Sequence, residues 1–136
     1  MGVLMKGHSL TPTSVEIHHP DSGAIIRTTA PKDNGGDGSQ FSPTDLCAAS
    51  LAACATTIMG MAAQRAGFAI EVSFTLEKIM QANPRQIRHL KVEYTIRGAT
   101  SEEQKRLCED AGRTCPVRLT LGSNVEIVEN YYFVER

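Results

Sequence analysis

The apolar and polar positions of this chain change period along its length, and each period predicts an element. Ser14–His18 and Ala24–Thr28 are short strand-like runs flanking Pro20-Asp-Ser-Gly23, a turn composition, so residues 1–30 read as an antiparallel β arm. Ser42 as N-cap, Pro43 at the first helical position, Asp45 in the first turn, Arg65 near the last and Gly67 as stop predict one helix over 42–66. From Leu46 to Gln64 no residue is charged, so this helix requires cover on every face. After Gly67 the period becomes two, with Ile70, Val72, Phe74 and Leu76 on one face. Asn83-Pro84 breaks that run, and a second one follows with Arg88, Leu90, Val92, Tyr94 and Ile96 on one face and Ile87, His89 and Lys91 on the other. These two strands are expected to pair antiparallel. Ser101-Glu-Glu-Gln104 is a capping box opening a helix that Gly112 would stop. Thr114 would cap a shorter helix ending at Gly122, and Val125–Val134 would be the last strand.

The order hairpin, long helix, two strands, helix pair, strand predicts an α+β fold with an antiparallel sheet packed on helices. We read 1–136 as a single domain, with the arm at 1–30, the central helix at 42–66 and the strands and second helix at 69–134. One sheet covers only one side of the central helix, so a second copy of the chain is the expected cover for the other side. Pro31–Ser39 reads as a flexible entry loop. It lacks the Gly-Lys-Ser/Thr of a phosphate loop, and Thr44 stands where a calcium loop carries its bidentate Glu.

Length and charge narrow the function. With 136 residues, a net charge of -1, 5% aromatics and no Trp, the chain has neither the basic excess nor the stacking platforms of a nucleic-acid binder. The N-terminus shows no export signal, and Ala, Ser, Thr and Gly make the central helix a poor membrane span, so a cytoplasmic protein with small-molecule partners is expected.

Four cysteines in such a chain read as thiols rather than a disulfide scaffold. Cys54 lies mid-helix on a stripe with Cys47, Ser50, Thr57 and Met61. Cys47 and Cys54 are seven apart, an advance of roughly 10 Å, too far for one tetrahedral zinc or for a disulfide within the helix. Cys115 in a first turn would be favoured as thiolate by the helix end and by Arg113 or Arg118. His18 and His19 point to opposite sides of a strand and cannot share a ligand.

Phe41-Ser-Pro-Thr-Asp-Leu46, Ala48-Ala-Ser-Leu-Ala-Ala-Cys54 and Cys115-Pro-Val117 together resemble the OsmC/Ohr family of osmotically induced and organic-hydroperoxide-resistance proteins. The resemblance spans nearly the whole chain. It implies a metal-free, cofactor-free thiol peroxidase that is an intertwined homodimer, its antiparallel sheets wrapped on buried central helices. By position, Cys54 resembles the peroxidatic cysteine and Cys115 the resolving one, with a dithiol reductant closing the cycle. Cys47 and Cys108 match nothing in the motif and read as packing residues. In the peroxidase branches a Glu follows the helix-start Pro and holds an activating Arg from the arm. Here Thr44 takes that place and Asp45 the next, and Arg27 is the arm's arginine. The alternative function is an OsmC-like protein without efficient turnover that binds a small apolar or electrophilic molecule at the dimer interface.

Overall fold

The computed structural model describes residues 2–135, so the outermost positions of the expected domain, 1 and 136, lie outside the described residues. The architecture is α+β, and the described residues form two three-stranded sheets and three α-helices. The chain forms two compact units that meet in sequence between Cys47 and Ala48.

The first unit is an antiparallel sheet of β1 (Lys6–Thr11), β2 (Ser14–His19) and β3 (Ala24–Thr29) in that order. The β2–β3 hairpin closes on the expected turn, where the Gly23 N–H donates to the His19 carbonyl at 2.8 Å. β1 is an addition to the two strands read from the sequence. Every residue in it is exposed, so it carries no apolar alternation to reveal it. The 31–39 loop is more built than expected. The Gly36 N–H donates to the Pro31 carbonyl, and a Cβ on Gly36 would meet the Ala30 carbonyl oxygen at 1.8 Å, so only glycine fits. Asp37 accepts from both the backbone N–H and the hydroxyl of Ser39.

α1 (Pro43–Arg65) starts and stops as its sequence predicts. The Asp45 N–H donates to Ser42 Oγ at 3.0 Å and the Ser42 N–H to the Asp45 carboxylate at 2.9 Å, a reciprocal cap. At the other end Gly67 has φ 88°, with Phe68 N–H on the Ala63 carbonyl and Gly67 N–H on that of Gln64, the double bond of a Schellman motif.

In the second unit β4 (Glu71–Gln81) and β5 (Gln86–Arg97) form the expected hairpin. The face assignment of β5 needs one correction. The ladder passes from His89, opposite Ile79, to Ile87, opposite Met80, so Arg88 is bulged out. The slip turns Ile87 into the core beside Leu90, Val92, Tyr94 and Ile96 and leaves Arg88 exposed. A second correction concerns β6 (Glu126–Val134), which pairs with β5 in parallel. The intervening α2 (Glu102–Arg113) and α3 (Pro116–Leu121) return the chain to the end where β5 began, which is what parallel pairing needs.

α2 opens on the predicted capping box at Ser101 and Gln104, but runs past Gly112 to Arg113. Gly112 serves another purpose: a Cβ there would come within 2.5 Å of the Tyr131 hydroxyl. One core joins Ala48, Leu51, Ala52, Ala55 and Met59 of α1 to the inward side of β5, Cys108 and Cys115. By length and composition α1 is apolar enough to cross a membrane, and here one of its faces is packed in that core. The opposite side, with Ala53, Thr57 and Met61, is exposed in the single chain.

Candidate active site

Cys54 and Cys115 come together. Cys54 is half-buried on α1 against the core, and Cys115 is fully buried at the start of α3, close enough to Cys54 for the two thiols to interact. Both are free thiols. Cys115 itself, rather than Thr114, caps α3: its Sγ accepts the Arg118 N–H at 3.4 Å, and Pro116 takes the first helical position. Thr114 instead ends α2, its hydroxyl donating to the Asp110 carbonyl at 2.8 Å.

The electrostatics around Cys115 differ from the expectation of a stabilised thiolate. Burial pushes its thiol above the ordinary range, against the opposing Arg118 N–H. The hydrogen bond with Cys54, the Cys54 charge and the Glu129 charge push it further up. The cations expected to offset this have other partners. The Arg118 guanidinium is paired with the Glu129 carboxylate, and that of Arg113 lies over the Tyr131 ring, 4.9 Å from its centroid.

Glu129 is the site residue that the sequence reading missed. Its carboxylate is fully buried on β6 and accepts hydrogen bonds from the Tyr94 hydroxyl at 3.4 Å and the Tyr131 hydroxyl at 3.2 Å, besides the Arg118 pair. The two tyrosine rings stack with centroids 4.9 Å apart, as their register across β5 and β6 dictates. Burial, then the Glu129 charge, pushes both phenols above their ordinary range. The signal was present in the alternation of the last strand. Glu129 shares a face with Ile127, Tyr131 and Phe133, an acid in an apolar row that needs a buried cation.

Cys108 is buried in α2, and burial raises its thiol, as suits a packing residue. Cys47, read as packing too, is exposed. Asp45 closes the cap of α1. Arg27, in the first unit, gives its guanidinium to Glu16, with Nε and Nη2 each 2.9 Å from Oε1.

A half-buried thiol on a central helix packed against a sheet, with a buried thiol beside it, defines an α+β protein with a dithiol site. The model of the family described as OsmC-like protein matches residues 36–130, and the chain belongs to that family. Among solved structures, a Psychrobacter arcticus protein provisionally named an osmotic stress induced and detoxification response protein is 29% identical. It is covered over 98% of both chains with a TM-score of 0.87. An organic hydroperoxide resistance protein OsmC of Legionella pneumophila is 23% identical, over 97% of both chains, with a TM-score of 0.72. An OsmC like protein of Mycoplasma pneumoniae is 19% identical, over 98% of both, with a TM-score of 0.81. No curated protein matches the chain.

Proposed function

We propose that this protein reduces organic hydroperoxides with its own thiols. The observation that carries the reading is the closeness of Cys54 and Cys115, a half-buried sulfur on α1 near enough to a buried one at the start of α3 for the two thiols to influence each other. The Cys54 thiolate attacks the distal peroxide oxygen. The O–O bond breaks, the alcohol leaves with a proton, and Cys54 becomes a sulfenic acid. The Cys115 sulfur then displaces the sulfenic hydroxyl, which leaves as water with the Cys115 proton, and the Cys54–Cys115 disulfide forms. A dithiol reductant reopens it by exchange. A Cys115 that holds its proton until this step suits the sequence, because a protonated neighbour donates to the Cys54 sulfur rather than repelling its charge.

The protein works, in this reading, as a homodimer. The uncharged face of α1 with Ala53, Thr57 and Met61 is exposed in one chain, and a second copy would cover it. Sedimentation equilibrium should return twice the chain mass, and Cys47 alkylation should slow on association.

A second reading has an observation of its own. Arg27, the arm's candidate for activating Cys54, is engaged by Glu16, and Thr44 stands where the peroxidase branches carry Glu. An OsmC-like protein that binds an apolar or electrophilic molecule without efficient turnover would fit that arrangement. One equivalent of an alkyl hydroperoxide separates the two. Peroxidase chemistry predicts consumption within seconds and a Cys54–Cys115 disulfide by mass mapping, with Cys54→Ser inactive and Cys115→Ser halted at sulfenic acid or over-oxidised. Consumption by the unmodified protein no faster than by Cys54→Ser would favour the binding reading. In the same assay Asp45→Asn slows sulfenylation if Asp45 orients an arginine, and leaves it unchanged if Asp45 only caps α1.

A further inference from the structure

On one face of the arm sheet, neighbouring strands bring together two imidazoles and a carboxylate. His8 of β1 stands directly across from Glu16 of β2, and His18 follows Glu16 by two on the same face. The His18 Nε2 is 2.7 Å from Glu16 Oε2, and the His8 Nε2 is 3.6 Å from the same oxygen. The two imidazole rings are 5.9 Å apart, centre to centre. The adjacent pair His18 and His19 cannot share a ligand, and His19 is indeed engaged elsewhere, with Ser22 at 2.6 Å. The histidine that joins His18 comes from β1, the strand that the sequence pattern did not reveal.

We propose that His8, His18 and Glu16 form a site for a divalent first-row metal ion of the zinc type. Three observations carry it. The candidate ligand atoms all lie within 4.8 Å of one another. Ligands at zinc–nitrogen and zinc–oxygen distances of about 2.1 Å in a tetrahedron sit about 3.4 Å apart, so small side-chain rotations on a fixed backbone close the site. The donors, two imidazoles and one carboxylate, are those that zinc accepts with a fourth position left to water. Finally, the carboxylate is already aimed. Arg27 holds Oε1 from the β3 side and leaves Oε2 toward the histidines, the outer support that metal-binding carboxylates use.

Binding displaces the hydrogen bond between His18 and Glu16. As Nε2 of each histidine and Oε2 of Glu16 bond to the ion, the hydrogen between His18 and Glu16 leaves Nε2, and each ring binds as the neutral imidazole with its hydrogen on Nδ1. Glu16 is sheltered, with 13% of its side chain exposed, while His8 and His18 are 57% and 41% exposed, so the ion can reach the site. Arg27 and Lys6, the latter opposite His18 in β1, share this face and oppose a dication, which points to moderate affinity.

The test is zinc titration by calorimetry of the full chain carrying Cys54→Ser and Cys115→Ser, so that the paired thiols do not compete. One zinc per chain is expected. His8→Ala and His18→Ala should each weaken it tenfold or more, and His19→Ala should leave it unchanged. In the same protein, zinc should shift the Nε2 resonances of His8 and His18 and not those of His19, a readout that needs no histidine variant. Absence of zinc uptake, or uptake that survives His8→Ala with His18→Ala, overturns the proposal. Neither result bears on peroxide consumption, which is read on the unmodified cysteines.

Discussion

Glu16 and Glu129 each hold one arginine, yet the two carboxylates affect their surroundings in opposite directions. Glu16 lies on a sheet face among solvent-facing partners, and hydrogen bonds from His18 and Arg27 lower its own pKa. Glu129 is buried, and its charge is felt by others: it adds to the burial that raises Tyr94, Tyr131 and Cys115. An ion pair whose cation faces water exchanges partners at little cost, which suits a site that takes up and releases an ion. The Glu129–Arg118 pair is a fixed structural element, because the fully buried carboxylate has lost its water and depends on the half-buried guanidinium.

The largest effect that would sharpen this contrast is removal of one buried partner. Glu129→Ala leaves Arg118 and two tyrosine hydroxyls without their acceptor and should cost about 3–5 kcal/mol in chemical denaturation. Replacing both partners, as Arg118→Met with Glu129→Gln, should recover much of that. A single Glu129→Ala loss no greater than that of a surface pair would break the comparison.

Next in size is the pH dependence, where the two clusters should fail at opposite ends of the scale. Cys115, Tyr94 and Tyr131 have raised pKa values in the folded chain. Above the ordinary thiol value of about 8.5, and more above the phenol value of about 10, the unfolded chain releases protons that the folded chain retains, so stability falls as pH rises. Glu129→Gln should make that fall shallower without abolishing it, because burial is the larger cause for both tyrosines. Glu16 works the other way. Its lowered pKa gives a contribution present above the ordinary Glu value of about 4.3 and lost as pH falls through the folded value. Unfolding midpoints measured from acid to alkaline pH, with each glutamate changed to Gln, separate the two.

The smallest effect is Arg27→Gln, which removes an exposed partner of Glu16 and should lower the unfolding midpoint near neutral pH only slightly. A clear loss would mean that Arg27 carries more of the arm than its pairing with Glu16.

The parts of the molecule that were legible in advance are those specified by local chemistry. Ser42, Asp45 and Gly67 bound α1 because caps and a left-handed stop act within a few residues, and the Ser101 box did the same for α2. What was not legible depended on tertiary partners. β1 has no buried side chain to impose an alternation, and Arg88 looked inward until the bulge shifted the register. Gly112 looked like a helix stop and is a seat for the Tyr131 ring. At the candidate site, the family motif named Cys54 and Cys115. Glu129, which adds to the burial that raises Cys115, showed only as an acid in the apolar row of β6, and its cation, Arg118, lies on a different element, so the pair itself was not legible.

The parallel return of β6 has a consequence for chain entropy. Cys115 sits inside the crossover that precedes β6, so about 60 residues separate it from Cys54 along the chain, and the two thiols meet only once β4, β5 and α2 are in place. A bond between them would close that loop in the unfolded chain as well, and a loop of this length corresponds to about 4 kcal/mol of lost unfolded-state freedom. In the proposed cycle the oxidised protein is therefore the sturdier form, and each reduction returns the chain to its more easily unfolded state.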